Sequence, residues 1–172
     1  MRRIAAEIAA SGSAQPVDHV LDLFGRDDGY ATPKVDVRGA VFRDGRILLV
    51  REAGLWTLPG GWADVEDSPG EAVEREVREE SGYEVRAARL LMCLDRARHP
   101  HVPPRPWRIY KLFFGCELVR DEQGSILAGE TDAAGFFAPD ELPQLDVGRV
   151  TPGQIARLFD HAATPGLPAD FD

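Results

Sequence analysis

The chain has little cysteine: two residues in 172, Cys93 and Cys116, each inside an apolar, strand-like run. So few thiols exclude a disulfide framework, and a free thiol in such a run behaves as a small hydrophobe. Positive charge is also scarce. Twenty Lys and Arg stand against 29 Asp and Glu, for a formal net charge of −9. That balance argues against an extended nucleic-acid groove or an anionic-membrane surface, either of which needs a basic face. There is no apolar run of about 18 residues, the length needed to cross a bilayer, and no charged-then-apolar leader with a cleavage site. The expectation is a cytoplasmic protein without membrane association. With 44% hydrophobic residues, the chain suffices for one core of ordinary size plus an appendage.

What is abundant is acid, concentrated in residues 61–83, GWADVEDSPGEAVEREVREESGY. Ser68 as N-cap, Pro69 at the first helical position, Glu71 as capping-box partner and Gly82 as terminator predict a loop followed by a helix. At about 3.6 residues per turn, Glu76, Glu79 and Glu80 share a face with Ala72, Val73, Val77 and Tyr83. The opposite arc holds Glu71, Glu74, Arg75 and Arg78. The face that should meet a core therefore carries three carboxylates, which repel one another and lose hydration unless protonated, paired with arginine or bound to a cation. A hard divalent ion with oxygen ligands, Mg2+ or Mn2+, meets that need and leaves coordination positions for substrate phosphates. A solvated helix with pairs such as Glu71 to Arg75 is the plain alternative, but the phase of the glutamates against the apolar residues opposes it.

Gly61, Asp67 and the run Arg75-Glu76-Val77-Arg78-Glu79-Glu80-Ser81-Gly82-Tyr83 resemble the Nudix box, the signature of hydrolases acting on a nucleoside diphosphate linked to another moiety. The departure is Asp67, where the family normally has glutamate. The resemblance implies that Glu76 and Glu80 are metal ligands, that Glu79 binds a further ion or orients water, and that Arg75 braces the loop. It also implies that the carbonyl of Gly60 is a backbone ligand. The implied chemistry is attack of water on one phosphorus of a diphosphate, assisted by bound ions.

The element order predicts strands over 35–42 and 47–51, joined at Asp44-Gly45, a loop over 55–67, the glutamate helix, strands near 85–94 and 107–119, and a short strand around 135–138. A second helix is expected over 151–161, capped by Thr151 and Pro152. Strands that outnumber helices without regular alternation predict a mixed sheet with flanking helices, and the family resemblance implies an α/β/α sandwich. The domain expected over 34–172 is preceded by an arm, 1–33, with short helical patterns over 2–10 and 17–24 broken by Ser11-Gly12-Ser13. The phrases Gly29-Tyr30-Ala31-Thr32-Pro33-Lys34-Val35-Asp36-Val37-Arg38 and Gly148-Arg149-Val150-Thr151-Pro152 resemble a Nudix subgroup with a helical N-terminal extension. That subgroup is associated with ADP-ribose or CDP-choline hydrolysis, and its extension implies a homodimer.

Substrate contacts are expected from residues 96–108, which hold four arginines, two histidines and no acid. Arg96, Arg98, Arg105 or Arg108 could grip a diphosphate, with His99 and His101 as donors, on a loop stiffened by proline. Trp56 and Trp62, flanking Leu58-Pro59-Gly60-Gly61, and Trp107 are candidates to stack on the base or face a choline ammonium. The family often places a general base on a late loop, which implies Glu130, then Glu79, then Asp132. The small-molecule hydrolase is weighed against two alternatives. A catalytically silent nucleotide sensor would lose one of the three glutamates, and an RNA 5′-end pyrophosphohydrolase would need a broader basic groove.

Overall fold

The computed structural model describes residues 2–13, 16–26, 32–105, 107–127, 129 and 131–172. The chain divides into two compact units, Met1–Thr32 and Pro33–Asp172. In the first, α1 (Arg2–Ser13) and α2 (Val17–Arg26) pack on one another through Ala6, Ala10 and Val20. Helices this short need such a partner surface. α1 continues through Ser11-Gly12-Ser13, where a break was expected; Ser and Gly lower helix propensity by only about 0.5–1 kcal/mol each, too little to force a break.

The second unit begins with a hairpin of β1 (Lys34–Arg43) and β2 (Arg46–Glu52). Asp44 and Gly45 take φ of 51° and 73°, the left-handed pair that matches strand twist in a two-residue turn. There follow β3 (Leu55–Thr57), α3 (Pro69–Ser81), β4 (Val85–Asp95), a 3-10 turn (Arg96–Arg98), β5 (Ile109–Leu118), β6 (Thr131–Phe137), α4 (Pro152–Ala163) and β7 (Asp170–Phe171). Two short strands were not expected. β3 falls in the stretch read as loop and pairs antiparallel with β2, and β7 pairs parallel with β4; at three and two residues neither is long enough to show a period. β6 begins at Thr131 rather than at Gly135, because Thr131 pairs with Glu52 of β2.

The mixed sheet runs β3-β2-β1-β5-β4-β7, with β6 also on β2. β1 and β5 are parallel, whereas β4 and β5 are antiparallel. Alternate residues of the strands feed two cores. Val37, Val41 and Leu48 meet Ala72, Val73 and Val77 of α3, while Ala40, Ile47, Leu49 and Phe113 meet Ile155 and Leu158 of α4. This is the helix-sheet-helix layering expected from the sequence. β1 and β2 stay paired only at Phe42↔Ile47 and Arg43↔Arg46. Where they part, residues 59–63 take the place beside β1: Gly39 N–H donates to Pro59 O, Val37 N–H to Gly61 O, and Ala63 N–H to Val35 O. That insertion anchors the glycine loop under the glutamate helix.

Candidate active site

The N-terminus of α3 is set by a reciprocal cap, in which Ser68 accepts from Glu71 N–H and the Glu71 carboxylate accepts from Ser68 N–H. Gly82, at φ 75°, ends the helix with its N–H on Arg78 O. Between these ends Ala72, Val73 and Val77 are fully buried, and Glu80 shares their side with only 6% exposure. Glu80 is tied to the glycine loop by Gly60 N–H, 2.8 Å from its Oε2. Close approach to backbone requires the first loop glycine, Gly60, whereas Gly61 faces the movable end of a side chain. A Cβ on Gly60 would lie 2.0 Å from Val37 O, at a φ of 142°, and one on Gly61 would lie 2.9 Å from the Glu76 carboxylate.

Glu76 and Glu80 line one cavity of about 370 Å³ together with Gly60 and Gly61. Burial pushes the Glu80 carboxyl up to about 7, against the pull of Gly60 N–H and Arg38, with neighbouring Glu76 adding repulsion. Burial likewise raises Glu76, although Arg75 opposes it. Among the described residues, no three His, Cys, Asp or Glu side chains gather closely enough to hold an ion by side chains alone. The donors therefore fit a hard ion that takes two carboxylates and completes its shell from backbone, water and phosphate, as Mg2+ or Mn2+ does, and they do not fit a closed nitrogen-sulfur site. Desolvated carboxylates of raised pKa are groups that such an ion would stabilise.

Arg75 ties two acids of the cavity wall, Glu76 and Asp64, to Asp67 and Glu79 outside it. Its guanidinium donates to Asp67 at 3.1 Å, Glu76 at 2.9 Å, Asp64 at 3.3 Å and Glu79 at 3.5 Å. The shorter Asp67 thus reaches the arginine from the loop. Glu79 is about one-third exposed on this outer side and does not line the cavity.

The opposite wall is cationic, and part of it was not foreseen. Asp36 and Arg38 of β1 and Lys111 of β5 are all buried. Arg38 clasps both oxygens of Asp36 at 2.8 Å, and Lys111 Nζ donates to Asp36 Oδ1 at 2.7 Å. Burial would raise the Asp36 carboxyl, but Arg38 and Lys111 hold it at about 2. Arg96, also buried, donates to the carbonyls of Pro103 and Gly148 and to no described carboxylate. Arg105 lines the same cavity without a hydrogen bond to any described residue.

Comparison with known proteins identifies this arrangement. The NUDIX domain model matches residues 32–159. The chain belongs to the Nudix family. It is 44% identical, over its whole length and 82% of the relative's, to a Bacillus subtilis protein provisionally named ADP-ribose pyrophosphatase YjhB. A Methanocaldococcus jannaschii ADP-ribose pyrophosphatase is 32% identical over 67% of this chain and 68% of its own. Among solved structures, an ADP-ribose pyrophosphatase from Streptococcus suis superposes with a TM-score of 0.73 at 40% identity, covering 82% of this chain and all of that one. A UDP-X diphosphatase gives 0.73 at 32% identity, covering 92% and 76%.

The remaining expected residues of this Nudix hydrolase are dispersed. Trp62 lines the cavity. Trp56 does not; it packs edge-on against Phe137, 4.7 Å between centroids, beside the α4 core. Arg98 is absent from the cavity wall, and His99 is drawn to Asp172 at 3.1 Å. His101 is buried and held neutral: burial lowers it to about 4, so its Nδ1–H donates to Val147 O and its Nε2 accepts from Gln154. It ties the arginine loop to α4 and does not contact the main cavity. Asp132 lies on β6, paired with Arg51. Glu130 lies outside the described residues. The signal that could have found Asp36 and Arg38 was their alternation with Val35 and Val37; Lys111 gave none, since one lysine in an apolar strand reads as solvent-facing. Cys116 is an inert core thiol, raised by burial to about 12.

Proposed function

We propose that this Nudix pyrophosphatase hydrolyses ADP-ribose to AMP and ribose 5-phosphate with Mg2+, Mn2+ substituting. The carrying observation is one cavity that sets the half-buried Glu76 and the buried Glu80 against Arg96 and Arg105, two guanidiniums that donate to no carboxylate among the described residues. A diphosphate carried with a divalent ion would satisfy both walls at once. In this reading Glu76, Glu80 and the Gly60 carbonyl hold the ion, and Arg75 keeps the helix and loop in register. Arg96 and Arg105 take phosphate oxygens, while Arg38 and Lys111 supply a fixed positive field behind them. The ion, when bound, neutralises charge on the phosphates and acidifies the attacking water. Water adds to one phosphorus, the bond to the bridging oxygen breaks, and the water's proton leaves to a carboxylate, for which Glu130 is proposed; Glu79, second by resemblance, stands outside the cavity.

ADP-ribose is preferred over CDP-choline because three of the compared relatives carry its name. Product release should be measured across ADP-ribose, CDP-choline and UDP-sugars with each ion. Turnover of ADP-ribose, abolished by chelator, is the expected result; faster turnover of CDP-choline would reassign the leaving group. Glu80→Gln should lower kcat at least about a hundredfold with an unchanged fold, since several kcal/mol of charge stabilisation depend on the ion. Full activity in that variant would overturn the metal assignment.

A further inference from the structure

We infer that Trp62 and Trp107 form the two walls of a nucleobase slot at the rim of the cavity, with Lys34 between them. The inference rests on the proposed hydrolysis of a nucleoside diphosphate and assigns the end of the site that receives the base.

Strand pairing places these three side chains together. On one side of β1, Trp62 forms an antiparallel bridge with Asp36, two residues from Lys34. On the other, Lys34 pairs with Ile109 of β5, and its N–H donates to Arg108 O, directly after Trp107. The Lys34 ammonium lies 5.6 Å from the Trp62 ring centroid and 5.7 Å from that of Trp107. Both indoles are 49% exposed, and two exposed aromatics brought together on one lysine make a contiguous patch of the kind that marks a binding site.

The slot continues from the phosphate wall. Trp62 borders the main cavity, and Trp107 borders an adjoining one of about 100 Å³; the two cavities share Arg96 and Arg105. Lys34, Asp36 and Arg38 alternate along one face of β1, so a line from rim to interior runs from exposed aromatics, past the arginines, to the carboxylates. A nucleoside diphosphate has that order: a planar base, then a polyanion. Stacking needs only the π-faces the indoles offer, and the ammonium adds attraction to a base and to the neighbouring phosphate. A quaternary ammonium is disfavoured here because the aromatic pair already holds a cation and two arginines stand next to it.

The test joins binding to kinetics. AMP should quench the tryptophan emission of the intact protein without metal, and phosphocholine should not. Replacing Trp56, which packs against Phe137 away from the cavity, with Phe should leave that quench in place, while Trp62→Phe and Trp107→Phe should each reduce it. Trp62→Ala and Trp107→Ala should raise KM for ADP-ribose about five- to a hundredfold, the range for loss of a base-aromatic stack, with kcat within about threefold; should an alanine variant not fold, its Phe counterpart carries the comparison. Unchanged KM and quench in these variants, with wild type turning over ADP-ribose, would overturn the slot, as would quenching by phosphocholine. Absence of turnover in wild type would instead refute the hydrolysis reading, while AMP quenching through Trp62 and Trp107 would still report the slot.

Discussion

Glu80 occupies a place that a lone carboxylate avoids, buried under the glycine loop beside a second glutamate. Its folded carboxyl near 7 lies above the ordinary 4.5. A raised acid favours the folded chain while it holds its proton, so this contribution is complete below about 4.5 and is lost as pH rises through about 7. In the proposed metal site a divalent ion would take the proton's place in that upper range, because only the deprotonated carboxylate binds it. The Mg2+-induced rise in Tm should therefore be larger near pH 8 than near pH 5.5. Equal shifts at both would remove Glu80 from the ligands. The helical phase of Glu80 was legible in the sequence; its bond to Gly60 was not, since it joins residues twenty positions apart.

At the level of elements, the parallel pairing of β1 with β5 creates the buried triad. Asp36 faces Lys111 across the pair and Arg38 lies two residues on. Asp36 offsets two cations at once, so its removal costs more than removal of either. Asp36→Asn should destabilise the fold by about 3–5 kcal/mol, the range for breaking a buried ion pair. Lys111→Met should cost less, because the clasp of Arg38 on Asp36 remains. Urea unfolding of both variants checks the order, and the reverse order would refute the account. Asp36 titrates below its ordinary value, so its contribution is present above about 4 and lost as pH falls toward 2. β1 itself was legible from alternation and its hairpin turn. What its polar residues meet was not legible, because a strand pattern states which residues share a face, not what covers it.

For the whole molecule, the net charge of −9 makes the cation-lined cavity a local exception on an acidic surface. A small polyanion can enter it, whereas a long RNA would meet repulsion outside. RNA binding at moderate salt should be undetectable while ADP-ribose turnover persists; RNA affinity with a steep salt dependence would favour the 5′-end reading. Among the described residues, no helix is long and apolar enough to cross a membrane. In the N-terminal unit the described buried residues are Ala6, Ala10 and Val20, with Ile4 exposed, and two short helices gain stability from further burial. A homodimer formed through the arm is the expected outcome. Sedimentation equilibrium should give twice the chain mass, and a monomer at micromolar concentration would refute it.

The sequence by itself determined the glutamate helix, its caps, the hairpin, the glycine loop and the mixed α/β class, because each is written in residues close along the chain: a cap with its partner three positions on, a turn pair, an apolar period. Only the tertiary structure decided which charged residues share the cavity. It brought Asp36, Arg38 and Lys111 into the wall, placed Glu79 outside it, packed Trp56 against Phe137, turned His99 toward Asp172, and set Trp62 and Trp107 around Lys34. Those outcomes depend on the register of strands distant in sequence and on a loop inserted where β1 and β2 part, and local pattern carries no information about either.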